Sequence, residues 1–138
     1  MSRLCGILLV LVLGSSGCGQ PPEGTDQLNE LAKSRVGALD VVLLSADTAV
    51  NTGKDTVTVE FRAASDGRLV DVGTVKATAM MPMTGMAPMF GPVDVEPTSV
   101  AGRYLATTEL SMAGEWRVSL EWNGPAGQGS VTFSPMVN

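Results

Sequence analysis

The stretch that decides the fold is EWRVSLEWN, residues Glu115–Asn123, in which every second residue is apolar. Successive side chains of a β-strand point to opposite faces, so this two-residue period predicts a strand with one buried face and one exposed face. The residues predicted to face the core are Trp116, Val118, Leu120 and Trp122. The intervening side chains are charged or polar, as expected of a face in contact with water.

The same period recurs in runs centred on Val59 and Ala77, and at Val131 and Phe133. Short sequences such as Ser65-Asp66-Gly67 separate the runs. We read them as turns, because glycine and asparagine tolerate the backbone angles of tight turns. We predict strands near residues 36–44, 55–63, 73–80, 90–96, 103–110, 115–123 and 129–134. About seven short antiparallel strands with this spacing predict an all-β, immunoglobulin-like two-sheet β-sandwich.

Residues 1–17 have the pattern of a secretory signal peptide. Arg3 precedes an apolar run at residues 7–13, and the small residues 14–17 follow it. The apolar run is shorter than the roughly 20 residues that a membrane-spanning helix needs. We therefore expect a mature protein that lies outside the cytoplasm and has no transmembrane helix.

Cys18 directly follows these small residues, as in a bacterial lipoprotein signal, where the cysteine is lipidated. The signal departs from that pattern at Ser15, where lipoprotein signals usually have leucine, and Ser15 and Gly17 would also suit an ordinary signal peptidase. A freely secreted or an uncleaved form therefore remains an alternative. With lipidation at Cys18, an acyl anchor would hold the domain at a membrane of the bacterial cell envelope.

Residues 18–34 are polar and rich in proline and glycine, which predicts a flexible tether, although residues 27–35 could form a short helical turn. Residues 35–138 are then one domain with one core. The only other cysteine, Cys5, lies inside the signal, so we expect no disulfide.

The composition excludes several classes of function. Removing residues 1–17 removes Arg3 from the nine basic residues and leaves eight against 14 acidic ones, a net charge of −6. Nucleic acids and anionic lipid head groups are poor partners for such a surface. The chain has no histidine, and no nucleophile and base can be paired, so we do not expect an enzyme.

The most unusual segment is MMPMTGMAPM, residues 80–89, which contains five methionines and two prolines. The prolines favour an extended or polyproline conformation, in which methionines three residues apart share a face but stand about 9 Å from one another. Such sulfurs are too far apart to bind one ion together. Only a reversal near Thr84-Gly85, with Gly85 at a positive φ angle, would bring Met81 or Met83 back towards Met86 and Met89.

Three interpretations of this segment stay open. A bent loop could bind Cu(I) or Ag(I), because thioethers prefer soft ions, and its candidate ligands are Met80, Met83, Met86 and Met89. A second interpretation is a partner-contact surface, since methionine adapts to irregular apolar surfaces, formed by Met83, Met86, Met89 and Phe90. The third is core packing, which strand parity predicts for Met81.

Several short motifs together resemble the YtkA-like, or FixH-like, domain of bacterial envelope proteins. They are Met81-Pro82-Met83, Gly85-Met86, Gly102-Arg103-Tyr104 and Met112-Ala113-Gly114-Glu115-Trp116, and the resemblance extends from Val36 to the C-terminus. It implies a β-sandwich outside the cytoplasmic membrane, in settings that include cytochrome oxidase assembly and heavy-metal efflux. Members often have histidine close to the methionine motif, and this chain has none.

Four residues of these motifs also have a structural interpretation. Gly102 can open a strand, Tyr104 can be half-buried with its hydroxyl at the rim, and Trp116 can fill the space between two sheets. We expect Met112 to be structural as well. The expected function is that of a membrane-anchored accessory protein in copper homeostasis or respiratory-complex assembly, acting on an envelope protein complex. The alternative is a metal-free protein–protein interaction module.

Overall fold

This computed structural model describes residues 27–138, which contain eleven β-strands and no α-helix. The predicted signal peptide, Cys18 and most of the predicted tether lie outside the described residues. The strands are β1 Asn29–Val36, β2 Leu39–Ser45, β3 Gly53–Ala63, β4 Thr74–Met81, β5 Met89–Gly91, β6 Val93–Pro97, β7 Arg103–Leu110, β8 Gly114–Glu115, β9 Arg117–Gly124, β10 Gly127–Phe133 and β11 Met136–Val137. Within this range, no helix has the length and hydrophobicity required to cross a bilayer.

The strands form two antiparallel sheets that pack face to face. One sheet has the order β1-β2-β3-β7-β6 and the other β10-β9-β4-β5, and a short ribbon pairs β8 with β11. Phe61 from the first sheet packs edge-to-face against Trp122 from the second, with ring centroids 5.1 Å apart. Tyr104 makes a similar contact with Phe61 at 5.5 Å. The predicted all-β, immunoglobulin-like sandwich is therefore confirmed.

The alternation that predicted the fold holds in the structure. Trp116, Leu120 and Trp122 are buried, Val118 is partly buried against the core, and Arg117 and Glu121 between them are exposed. The predicted strand 115–123 is nevertheless interrupted, because Trp116 lies between β8 and β9. Its backbone N–H donates to the carbonyl of Pro135, 3.1 Å away, next to the β8–β11 ribbon.

The predicted strand 90–96 is two strands in different sheets. Strand β5 pairs with β4, β6 pairs with β7, and Pro92 lies between them. Proline has no N–H to donate to a ladder, so it suits the point where the chain leaves one sheet for the other. Gly91 permits this crossing, since a Cβ there would lie 2.4 Å from Cδ2 of Leu110.

Strand β1 corrects the prediction for the start of the domain. Residues 29–34, expected in the tether or in a helical turn, pair with β2 along the edge of the larger sheet. Lys33 and Arg35 both form salt bridges with Asp40, at 3.4 and 2.8 Å, and the hydrogen bond from Arg35 lowers the pKa of Asp40. Pairing with a neighbouring strand outweighs the weak strand propensity of this polar segment.

Candidate functional site

The methionine-rich segment is a β-hairpin. Strands β4 and β5 are antiparallel, with Met81 opposite Met89 and Met80 opposite Phe90. Residues 82–88 form the loop that joins them. We call this unit, residues 80–90, the methionine hairpin.

The chain reverses inside this loop at the predicted place. The backbone N–H of Met86 donates to the carbonyl of Met83, 3.4 Å away, and Gly85 has a φ angle of 73°. A positive φ at the third position is typical of a type II turn, in which the first and fourth Cα atoms are less than about 7 Å apart. The reversal that the metal hypothesis requires is therefore present. It brings Met83 and Met86 closer together than the extended conformation would.

Strand alternation divides the predicted ligands. Directly opposed residues of two antiparallel strands share a face, so Met81 and Met89 lie on the inner face and Met80 and Phe90 on the outer face. Met81 is 8% exposed, which confirms its predicted core position. The turn places Met83 and Met86 at its two ends, and Met89 lies on the inner face, partly buried against the core, whereas Met80 lies on the other face. The predicted contact set is divided in the same way, because Phe90 shares the face of Met80.

A second loop, residues 111–113 between β7 and β8, contacts the hairpin. The hydroxyl of Ser111 donates to the sulfur of Met89, 3.3 Å away. The indole N–H of the fully buried Trp116 donates to the carbonyl of Met112 at 2.9 Å, which fixes the loop to the core. The carbonyl of Met112 thus has a structural contact, as expected, but its side chain is 43% exposed. Met112 lies between two strands, so strand alternation could not predict which way its side chain points.

Every methionine after Met1 lies at this end of the sandwich. Five belong to the methionine hairpin, and Met112 follows the residue that contacts it. Met136, on β11, is opposite Glu115 of β8. Strand β8 in turn abuts the hairpin, since a Cβ at Gly114 would lie 2.7 Å from Cε of Met81. We call this region the methionine end.

Gly102 and Tyr104 serve the fold at the opposite end of β4. A Cβ at Gly102 would lie 2.7 Å from the carbonyl oxygen of Val70, and its φ angle of 85° favours glycine. The hydroxyl of Tyr104 donates to the carbonyl of Gly73 at 2.7 Å. Burial, together with the nearby carboxylate of Asp71, raises the pKa of Tyr104. These contacts support the structural interpretation of both residues.

In residues 27–138, no group of three or more His, Cys, Asp or Glu side chains could hold a metal ion. In the same range, every buried side-chain nitrogen or oxygen has a hydrogen-bond partner.

The comparison with protein families decides the assignment. Residues 33–121, well over half of the chain, match the YtkA-like family. The chain belongs to the YtkA-like family. The matched range contains the whole methionine hairpin and Met112. Membership of the YtkA-like family suggests a bacterial extracytoplasmic accessory domain.

Two solved structures are similar to this YtkA-like chain at low identity. The filamin domain of Lin-41 is 16% identical, with a TM-score of 0.42, and the match covers 65% of this chain and 81% of that one. The C-terminal domain of ZirS is 13% identical, also with a TM-score of 0.42, and the match covers 100% of this chain and 87% of that one. No curated protein matches the sequence.

Proposed function

We propose that this YtkA-like protein is a membrane-anchored, extracytoplasmic accessory protein of copper homeostasis or respiratory-complex assembly. Its methionine hairpin binds Cu(I) through Met83, Met86 and Met89. The observation that carries the proposal is the turn from Met83 to Met86, which reverses the chain and returns it to Met89, opposite Met81.

The chemistry of the donors determines which ion the hairpin selects. Thioethers are soft, neutral ligands that suit Cu(I), whereas Zn²⁺ and Cu²⁺ favour imidazole, thiolate or oxygen donors. The chain has no histidine. We therefore expect the protein to bind Cu(I) or its analogue Ag(I) and to leave Zn²⁺ in solution.

The affinity for Cu(I) should not depend on pH. Cysteine and histidine ligands must lose a proton before they bind, so sites built from them weaken as the pH falls, but a thioether has no such proton to lose. We expect equal affinities at about pH 5.5 and about pH 7.5, measured anaerobically on the purified protein against a chromogenic Cu(I) chelator. An affinity that rises with pH would contradict thioether ligation, and the absence of uptake would refute the proposal.

The membrane anchor in this proposal is an acyl group on Cys18, outside the described residues. Changing Cys18 to serine should move the protein from the membrane fraction to the soluble fraction, because serine cannot carry the acyl group proposed to anchor the domain. Membrane fractionation followed by immunoblotting measures this shift. Cys5→Ser, inside the predicted signal, is the matched control and should leave the protein with the membrane. A wild-type protein already in the soluble fraction would show that the anchor is wrong.

A second candidate function, docking onto an envelope protein complex, is favoured by the exposure of two apolar side chains. Phe90 is 70% exposed and Met86 is 64% exposed. Exposed apolar residues that form a patch commonly mark a contact surface. Leucine in place of methionine preserves the apolar area, so a contact surface should still capture its partner complex after that change, whereas a Cu(I) site should not survive it.

A further inference from the structure

We propose that Met112 supplies a fourth thioether to the Cu(I) site, so that the site is built from two loops of the sandwich. This inference rests on the proposed function of the methionine hairpin. It adds a ligand from a part of the chain more than twenty residues beyond Met89.

Two hydrogen bonds fix the backbone at Met112, one made by the preceding residue and one by its own carbonyl. Ser111, the residue before it, donates its hydroxyl proton to the sulfur of Met89 across 3.3 Å. Trp116 holds the carbonyl of Met112 at 2.9 Å. Because adjacent Cα atoms are about 3.8 Å apart, the backbone of Met112 lies next to the contact between Ser111 and Met89.

The exposure of Met112 agrees with a binding role. A methionine that fills a core is buried, as Met81 is, but 43% of Met112 remains exposed. The sulfur of Met89 accepts one hydrogen bond from Ser111, and its second lone pair remains for an ion. Ser111 thereby orients the sulfur of Met89 and links the two loops.

Four thioether sulfurs, three from the methionine hairpin and one from the 111–113 loop, would bind Cu(I) more tightly than the three of the hairpin alone. Thioethers are weak donors, so a methionine-only site depends on several of them held in place before the ion arrives. Preorganisation lowers the entropy that binding costs, and side chains supported by the folded core are held more precisely than those of a free loop. The indole of Trp116, which is fully buried, provides this support for Met112.

Met136 offers a matched comparison. It is also at the methionine end and is 57% exposed, but it lies on β11 opposite Glu115 and not beside Ser111. Changing either residue to leucine removes one exposed sulfur and leaves the core untouched. Any general effect of losing a thioether from this end should therefore appear in both variants.

The test is an anaerobic Cu(I) competition titration of the purified wild-type, Met112→Leu and Met136→Leu proteins. We expect Met112→Leu to weaken Cu(I) binding by at least about tenfold and Met136→Leu to leave it unchanged. Circular dichroism should give all three the same unfolding temperature. If the wild type binds Cu(I) and Met112→Leu binds it as tightly as Met136→Leu does, this inference fails and the proposed function stands. If the wild type binds no Cu(I), both fail.

X-ray absorption at the copper edge provides a second measurement. The loaded wild-type protein should show four sulfur neighbours, and loaded Met112→Leu should show three. An unchanged sulfur count in the variant would overturn the assignment of Met112.

Discussion

Replacing Trp116 by alanine should destabilise the domain by about 3–5 kcal/mol, the usual range for removing a buried tryptophan. Trp116 is fully buried and is the largest side chain buried to that degree in residues 27–138. The ring packs beside Gly91, where a Cβ would lie 3.2 Å from it, so its loss opens a cavity where the chain crosses between the sheets. The change also leaves the carbonyl of Met112 without its indole donor.

Urea unfolding followed by far-ultraviolet circular dichroism measures this loss, because that signal does not depend on tryptophan fluorescence. Trp116→Phe is the matched control. Phenylalanine supplies a smaller aromatic ring without the N–H, so we expect a smaller loss of stability for phenylalanine than for alanine. A loss below about 1 kcal/mol for Trp116→Ala would contradict the central packing role of Trp116.

Most of the sandwich could be predicted because period-two alternation is a local signal. The predicted strand 103–110 coincides with β7, and of the four predicted inward residues of 115–123 three are buried and Val118 is partly buried. Strand β1 could not be found in this way, since its polar residues form a strand only through pairing with β2. The break at Pro92 was missed because an alternating run does not show that the chain changes sheets within it.

The candidate site was predictable only in part. The turn at Thr84-Gly85 follows from the freedom of glycine at φ angles above zero, and the structure has it. The separation of Met80 from Met89 depends on the β4–β5 register, which pairs Met81 with Met89 and which the sequence motif does not specify. The position of the 111–113 loop beside the hairpin depends on contacts between distant segments, made through Ser111 and Trp116.

Changing Met83, Met86 and Met89 together to leucine should weaken Cu(I) binding by about 100-fold or more. Leucine preserves the apolar bulk and removes the sulfur. The hairpin should therefore fold as before but lack the three thioethers proposed to bind Cu(I). Met80→Leu is the matched control. It removes a sulfur of the same segment from the outer face of the sheet, opposite Phe90, and should bind Cu(I) as the wild type does.

The anaerobic competition titration of these three proteins tests most directly whether the turn gathers sulfurs into a Cu(I) site. The wild type and Met80→Leu should each take one Cu(I) from the chelator, and the triple-leucine variant should take none. Equal, weak uptake by the wild type and the triple variant would contradict the account.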